Sequence, residues 1–203
     1  MYSNGTLIGY ITANDGLTNC NVTKELNGIS TLTFDLPLDS PKWSLLENNI
    51  RIRVDGKEYC FMNPKEQKRE DGLMGHVEMS ETVALLGRRY PTVSEVPLAV
   101  QILSGEPGEG GFDAGSAGSA LYRLLTAELG GYGWSVGTVD VSGTFDLETE
   151  KMSLLENIFE VQKIWGGWLV FDSINKTVSL RDDELWQRDT GFELRYAKNE
   201  KTL

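Results

Sequence analysis

The sequence predicts a β-rich α+β protein, with an N-terminal antiparallel β-barrel or sandwich domain followed by a smaller mixed α+β domain. Three observations predict it. Short runs of alternating apolar and polar residues fill the first hundred positions, each bounded by turn residues. Helical periodicity with strong cap signals enters only after a glycine-rich stretch that begins near position 104. With 203 residues, 40% hydrophobic and 24% charged, the chain is long and apolar enough to bury a core in each of two small domains.

The first domain is expected over 1–98. Residues 17–26 read as a strand, and Asn27-Gly28 supplies a two-residue hairpin signal. In the return strand Leu32, Phe34 and Leu36 alternate with Thr31, Thr33 and Asp35, giving one buried and one wet face until Pro37 ends the ladder. A second hairpin pairs Ile50, Ile52 and Val54, interleaved with Arg51 and Arg53, against Lys57 to Met62 through an Asp55-Gly56 turn. Gly72 to Ser80 is a further strand. Residues 81–88 read as a short helix with Ser80 as N-cap and Val83, Leu85 and Leu86 as its apolar side. Hairpins in this succession predict an antiparallel meander.

The second domain is expected over 99–191. The stretch 104–119, with six glycines, reads as a mobile surface loop. A helix from Ser119 to Leu129 follows, closed by Gly130. The capping box Ser153-Leu154-Leu155-Glu156 opens a second helix that turns Leu155, Ile158, Phe159 and Val161 inward and stops at Gly166-Gly167. Trp168 to Asp172 and Thr177 to Leu180 are strands joined by an Asn175-Lys176 turn.

The net charge of −11 disfavours a tightly held nucleic acid, because phosphate binding rests on Lys and Arg. It suits a surface that DNA passes without specific binding, but by itself the charge is read first as simple solubility. No apolar run approaches the roughly 20 residues that span a bilayer, so no stable membrane insertion is expected. Nor does the N-terminus carry a secretion signal, which places synthesis in a cytoplasm.

The residues offer little for catalysis, and the reading assigns no catalytic, cofactor or metal residues. His76 is the one histidine, and no Gly-x-Ser-x-Gly elbow accompanies it; a strand histidine of this kind reads as an ordinary core or surface residue. Cys20 and Cys60 lie on expected strands and read as small buried hydrophobes, with a disulfide between them left open. The glycines at 105–111 lack the Gly-Lys-Ser/Thr end of a phosphate cradle, and Glu106 and Glu109 would repel a phosphate. Asp182-Asp183-Glu184 does not match the spacing of a calcium loop. Among 30 acids nothing singles out the pair that glycoside hydrolysis needs. Trp134, Trp165 and Trp168 would either line a sugar-binding surface or fill the second core, and core is favoured.

Two stretches carry a resemblance. Asn21-Val22-Thr23-Lys24-Glu25-Leu26-Asn27-Gly28 followed by Leu32-Thr33-Phe34-Asp35-Leu36-Pro37 resembles the opening hairpin of the tail-tip or baseplate hub proteins of tailed bacteriophages, also called tail-associated proteins. The segment Asn48 to Ile52 with Tyr59-Cys60-Phe61-Met62 is similar to that family's second hairpin. Trp134-Ser135-Val136-Gly137, the helix from Ser153, and Gly167 to Asp172 with Val178-Ser179-Leu180 look like its second domain. The glycine-rich insertion at 104–119 departs from the family.

The resemblance implies a structural role in the virion tail tip. It implies a homotrimer that forms a ring closing the tail tube, with a distal tail protein ring, the tape-measure protein and tail fibre or receptor-binding parts as partners, and no cofactors. It also implies that 192–203, around Tyr196 to Asn199, begins a further β domain of a longer product. Any hydrolase activity would then lie in a C-terminal extension. Two other readings compete: the N-terminal part of a cell-wall-degrading tail enzyme, and a carbohydrate-binding module using exposed tryptophans such as Trp186.

Overall fold

A computed structural model of the chain describes residues 1–46, 50–62, 67–68, 74–90, 101–102, 109–125, 133–145, 147–149 and 152–182. Its N-terminal strands are β1 (Tyr2–Ser3), β2 (Thr6–Leu7), β3 (Thr18–Thr23), β4 (Thr31–Pro37), β5 (Ile50–Val54), β6 (Lys57–Cys60), β7 (Gln67–Lys68) and β8 (Met74–Glu81). They form one antiparallel sheet in the order β2-β1-β5-β6-β8-β4-β3, with β7 also on β8. This corrects the expected meander, because β8 inserts between the two hairpins and pairs with β4 along its full length, Thr31 opposite Ser80 through Pro37 opposite Met74. Long-range pairing of that kind leaves no mark in local sequence.

The alternation of β4 does what its pattern predicts. Leu32, Phe34 and Leu36 are buried in one cluster with Val77 and Met79 of β8, Ile50 and Ile52 of β5, Tyr59 and Met1. Each such side chain, fully withdrawn from water, contributes about 1.5–3 kcal/mol. Ile52 and Phe34 stand three strands apart along the ladder, about 14 Å if the sheet were flat. Both nevertheless line one small cavity of about 110 Å³, so the sheet curls around its core as a barrel wall does. Trp43 closes one end. Its ring sits where a Cβ on Gly75 would be, 2.1 Å away, so only glycine fits opposite Leu36.

The turns are more varied than their sequence signals. Asp55-Gly56 is the expected tight hairpin, with both residues at positive φ between Val54 and its partner Lys57. Asn4-Gly5 makes the same turn between β1 and β2 and was not anticipated. Asn27-Gly28 does not: β3 ends at Thr23, pairing with Thr31, so a loop of residues 24–30 joins the strands. Residues 82–88 form a 3-10 helix rather than an α-helix, and Ser80 lies inside β8 instead of capping it.

The second half comprises β9 (Gln101–Ile102), α1 (Ala117–Leu125), β10 (Ser135–Val139), β11 (Glu148–Thr149), α2 (Leu154–Trp165), β12 (Trp168–Asp172) and β13 (Thr177–Arg181). A three-stranded sheet runs β10-β13-β12, with β10 parallel to β13 and β12 antiparallel to it; β9 and β11 form a separate pair. α1 starts earlier than expected. Ser119 lies within it and Ser116 caps it, its Oγ accepting from Ser119 N at 3.2 Å. The expected helix end at 126–130 lies outside the described residues. α2 has the predicted capping box, with Ser153 Oγ accepting from Glu156 N and Glu156 Oε2 accepting from Ser153 N at 2.6 Å. The second core joins Leu121, Leu124, Ile158, Val161, Phe171, Val178 and Leu180 to Val83 and Leu86 of the 3-10 helix, which precedes the composition change at 98.

Candidate functional site

The single histidine sits on β8 opposite Asp35, as the register of β4 and β8 requires. Asp35 alternates with Phe34 and Leu36, so its carboxylate leaves the apolar core; it is buried all the same. Its Oδ1 lies 2.7 Å from His76 Nδ1, and its Oδ2 accepts from Asn19 Nδ2 at 2.5 Å. A buried carboxylate without such partners would cost several kcal/mol. The network therefore ties β3, β4 and β8 together.

The remaining candidate residues are dispersed. Cys60 is buried, and burial pushes its thiol pKa up. Cys20 is exposed on the edge strand β3, contrary to the reading of both cysteines as buried, and both are free. Residues 104–108 of the glycine-rich stretch lie outside the described residues, but 109–119 form a packed turn into α1. A Cβ on Gly118 would meet Phe112 at 2.2 Å, and one on Gly110 would meet Tyr122 at 2.4 Å, so these glycines serve close packing. Of the acidic run, Asp182 donates its backbone N–H to Asp140, which also takes Arg181 Nε at 2.6 Å; Asp183 and Glu184 lie outside the described residues. Among the described residues no group of three or more His, Cys, Asp or Glu gathers as a metal site. Trp134 and Trp165 are buried in the second core, the role favoured from sequence, while Trp168 is half-buried at a strand end. Trp186 lies outside the described residues.

What the structure does build is a junction between the two cores. Asn27 turns left-handed, with φ of 51°, and presents its amide to β12 as a strand neighbour would. Its Oδ1 accepts from Leu169 N at 2.8 Å and its Nδ2 donates to Gly167 O at 3.4 Å. Ser173 Oγ accepts from Glu58 N at 2.8 Å, and Leu154 N donates to Arg89 O at 2.7 Å. The edge of β12 is thus partly covered. The outer edges of the large sheet, β2 and β3, are not covered among the described residues, and β3 is exposed along most of its length. Leu7, Ile8 and Tyr10 follow the β2 edge as exposed apolar side chains, Tyr10 at 68%. This apolar run and the Asn27 clasp depend on tertiary placement, which no local sequence signal marks.

Two packed cores tied by these hydrogen bonds define the class, a two-core α+β fold. Comparison with known proteins gives that class a setting. Residues 113–180 match the family described as the prophage endopeptidase tail domain. The fold matches prophage tail protein gp18 from Listeria monocytogenes EGD-e with a TM-score of 0.58 and 12% identity, over 91% of this chain and 49% of that one. The chain therefore spans about half the length of the solved protein it matches. Comparison with curated proteins gives no match. The chain is thus similar to a phage tail domain over 113–180 and to a prophage tail protein in fold, and the two findings support a phage tail protein.

Proposed function

We propose that the chain is a structural component of the phage tail tip, a baseplate hub subunit that assembles as a homotrimeric ring closing the tail tube. The tail domain at 113–180 carries this reading. The open β2 and β3 edges with Leu7, Ile8 and Tyr10 favour it, since an unpaired ladder beside apolar side chains is stabilised by a neighbouring subunit. In this role the chain contacts a distal tail ring and tape-measure protein above and fibre or receptor-binding parts below. The net charge of −11 lets DNA pass without holding it.

Its work is mechanical rather than catalytic: Asp35 and His76 brace strands, and the burial of Trp134 and Trp165 does not favour a sugar platform. Light scattering and negative-stain images of tails labelled with an antibody to this chain test the proposal. A threefold ring with label at the tail tip is expected. Label on the capsid or along the tube overturns it, and clearing of peptidoglycan in a zymogram overturns the non-catalytic part.

A further inference from the structure

The two cores border a cleft of about 480 Å³ whose walls come from both. Arg51, Arg53, Arg89 and Lys176 line it, against one acid among the described residues, Glu58. In a chain of net charge −11 this is a local reversal of sign, and a concave site of one sign draws in the opposite charge. Strand alternation produces it: Ile50 and Ile52 face the core of the large sheet, so Arg51 and Arg53 both face the other way.

The cations are not equivalent. Arg53 is committed, its Nε 3.0 Å from Glu58 Oε1 and its guanidinium 4.1 Å from the centre of the Tyr2 ring. Arg51 Nη1 is buried with no hydrogen-bond partner among the described residues. A charged donor kept from water in this way is costly until an acceptor arrives, and a carboxylate matches the guanidinium fork in charge and shape. Leu85 and Ile174 add apolar wall beside it.

We propose that this cleft binds a carboxylate-bearing peptide segment of a neighbouring polypeptide, with Arg51 taking the carboxylate and Lys176 supplying attractive potential. The apolar wall receives the aliphatic side chains between the acids, a contact that free phosphate cannot make. Nucleic acid would bring a run of phosphates against an acidic chain. The cleft's chemistry does not depend on where in a tail the chain sits.

Calorimetric titration with a blocked pentapeptide alternating glutamate and leucine tests this, with inorganic phosphate and the glutamine version of the peptide as further arms. The acidic peptide is expected to bind at least about tenfold more tightly than either, and more weakly as salt rises. Arg51→Gln should weaken it at least about tenfold. Lys176→Asn should weaken it about threefold with the fold intact, since asparagine tolerates the positive φ of that position. Lys163→Gln, on the exposed side of α2 and paired with Glu160, should leave it unchanged. Absence of binding, phosphate binding as tightly as the peptide, or equal affinity in Lys176→Asn and Lys163→Gln overturns the proposal.

Discussion

At Asn27 a left-handed backbone and a two-pronged amide meet, and each part has its own cost of removal. Asn27→Gly keeps the φ of 51° but leaves the buried Leu169 N–H unpaired, which costs about 1–3 kcal/mol. Asn27→Ala adds strain at positive φ, so it should be the less stable of the two in urea unfolding, and both should speed hydrogen exchange at Leu169. Equal stability of wild type and Asn27→Gly would remove the clasp from the account. Tyr59 gives a second test at this scale. Burial, then the nearby charges of Glu81 and Asp55, push its phenol pKa up to about 12, with Ser30 offsetting a little. The folded state then holds its proton where the unfolded chain has lost it, so stability is unaffected below pH 10 and falls between about 10 and 12. The slope is about 1 kcal/mol per pH unit. Tyr59→Phe should flatten that alkaline limb in thermal melts and cost little at neutral pH, because the hydroxyl closes no well-directed hydrogen bond among the described residues.

At the scale of elements, what the sequence made legible was what is local. The Ser153–Glu156 box, the Asp55-Gly56 turn and the alternation of Leu32, Phe34 and Leu36 each act within a few residues, and each is where it was expected. Asn27-Gly28 carried an equally local signal that tertiary contact overrode, since Asn27 is drawn out to β12 and the loop widens to reach it. The insertion of β8 beside β4, the exposure of Cys20 on an edge, and the basic cleft between the cores all depend on which distant segments become neighbours. The cap itself is open to test. Ser153→Ala should destabilise α2 by about 1 kcal/mol. The backbone N–H and the hydroxyl of Ser153 hold the Glu156 pKa below its ordinary value. That contribution is present above the unfolded carboxylate value of 4.5 and is lost as pH falls through the depressed folded value. The gap between wild type and Ser153→Ala melting midpoints should therefore narrow below that range without closing, because the Ser153 Oγ bond to Glu156 N–H does not titrate and the Ser153 backbone N–H survives the substitution; no gap at any pH would refute the cap.

Over the whole molecule the question is whether two cores unfold as one. The polar ties across the junction, Asn27 to β12 and Ser173 to Glu58, are each worth about 0.5–1.5 kcal/mol net. The apolar tie is larger, because Val83 and Leu86, directly following β8 of the first sheet, are fully buried in the second core, and truncating a buried leucine costs about 2–5 kcal/mol. If coupling follows these magnitudes, wild type should melt in a single calorimetric transition. The Asn27→Ala, Ser173→Ala double variant should melt lower but still once. Leu86→Ala should broaden the transition or divide it, with far-UV and tryptophan signals parting company in a Trp43→Phe background, since Trp43 packs on the first core and Trp134 and Trp165 in the second. Two transitions in wild type would mean that the 3-10 helix does not couple the cores. The ring proposed above would need that coupling, because a load on one core reaches the other through the shared apolar residues and the polar ties between them.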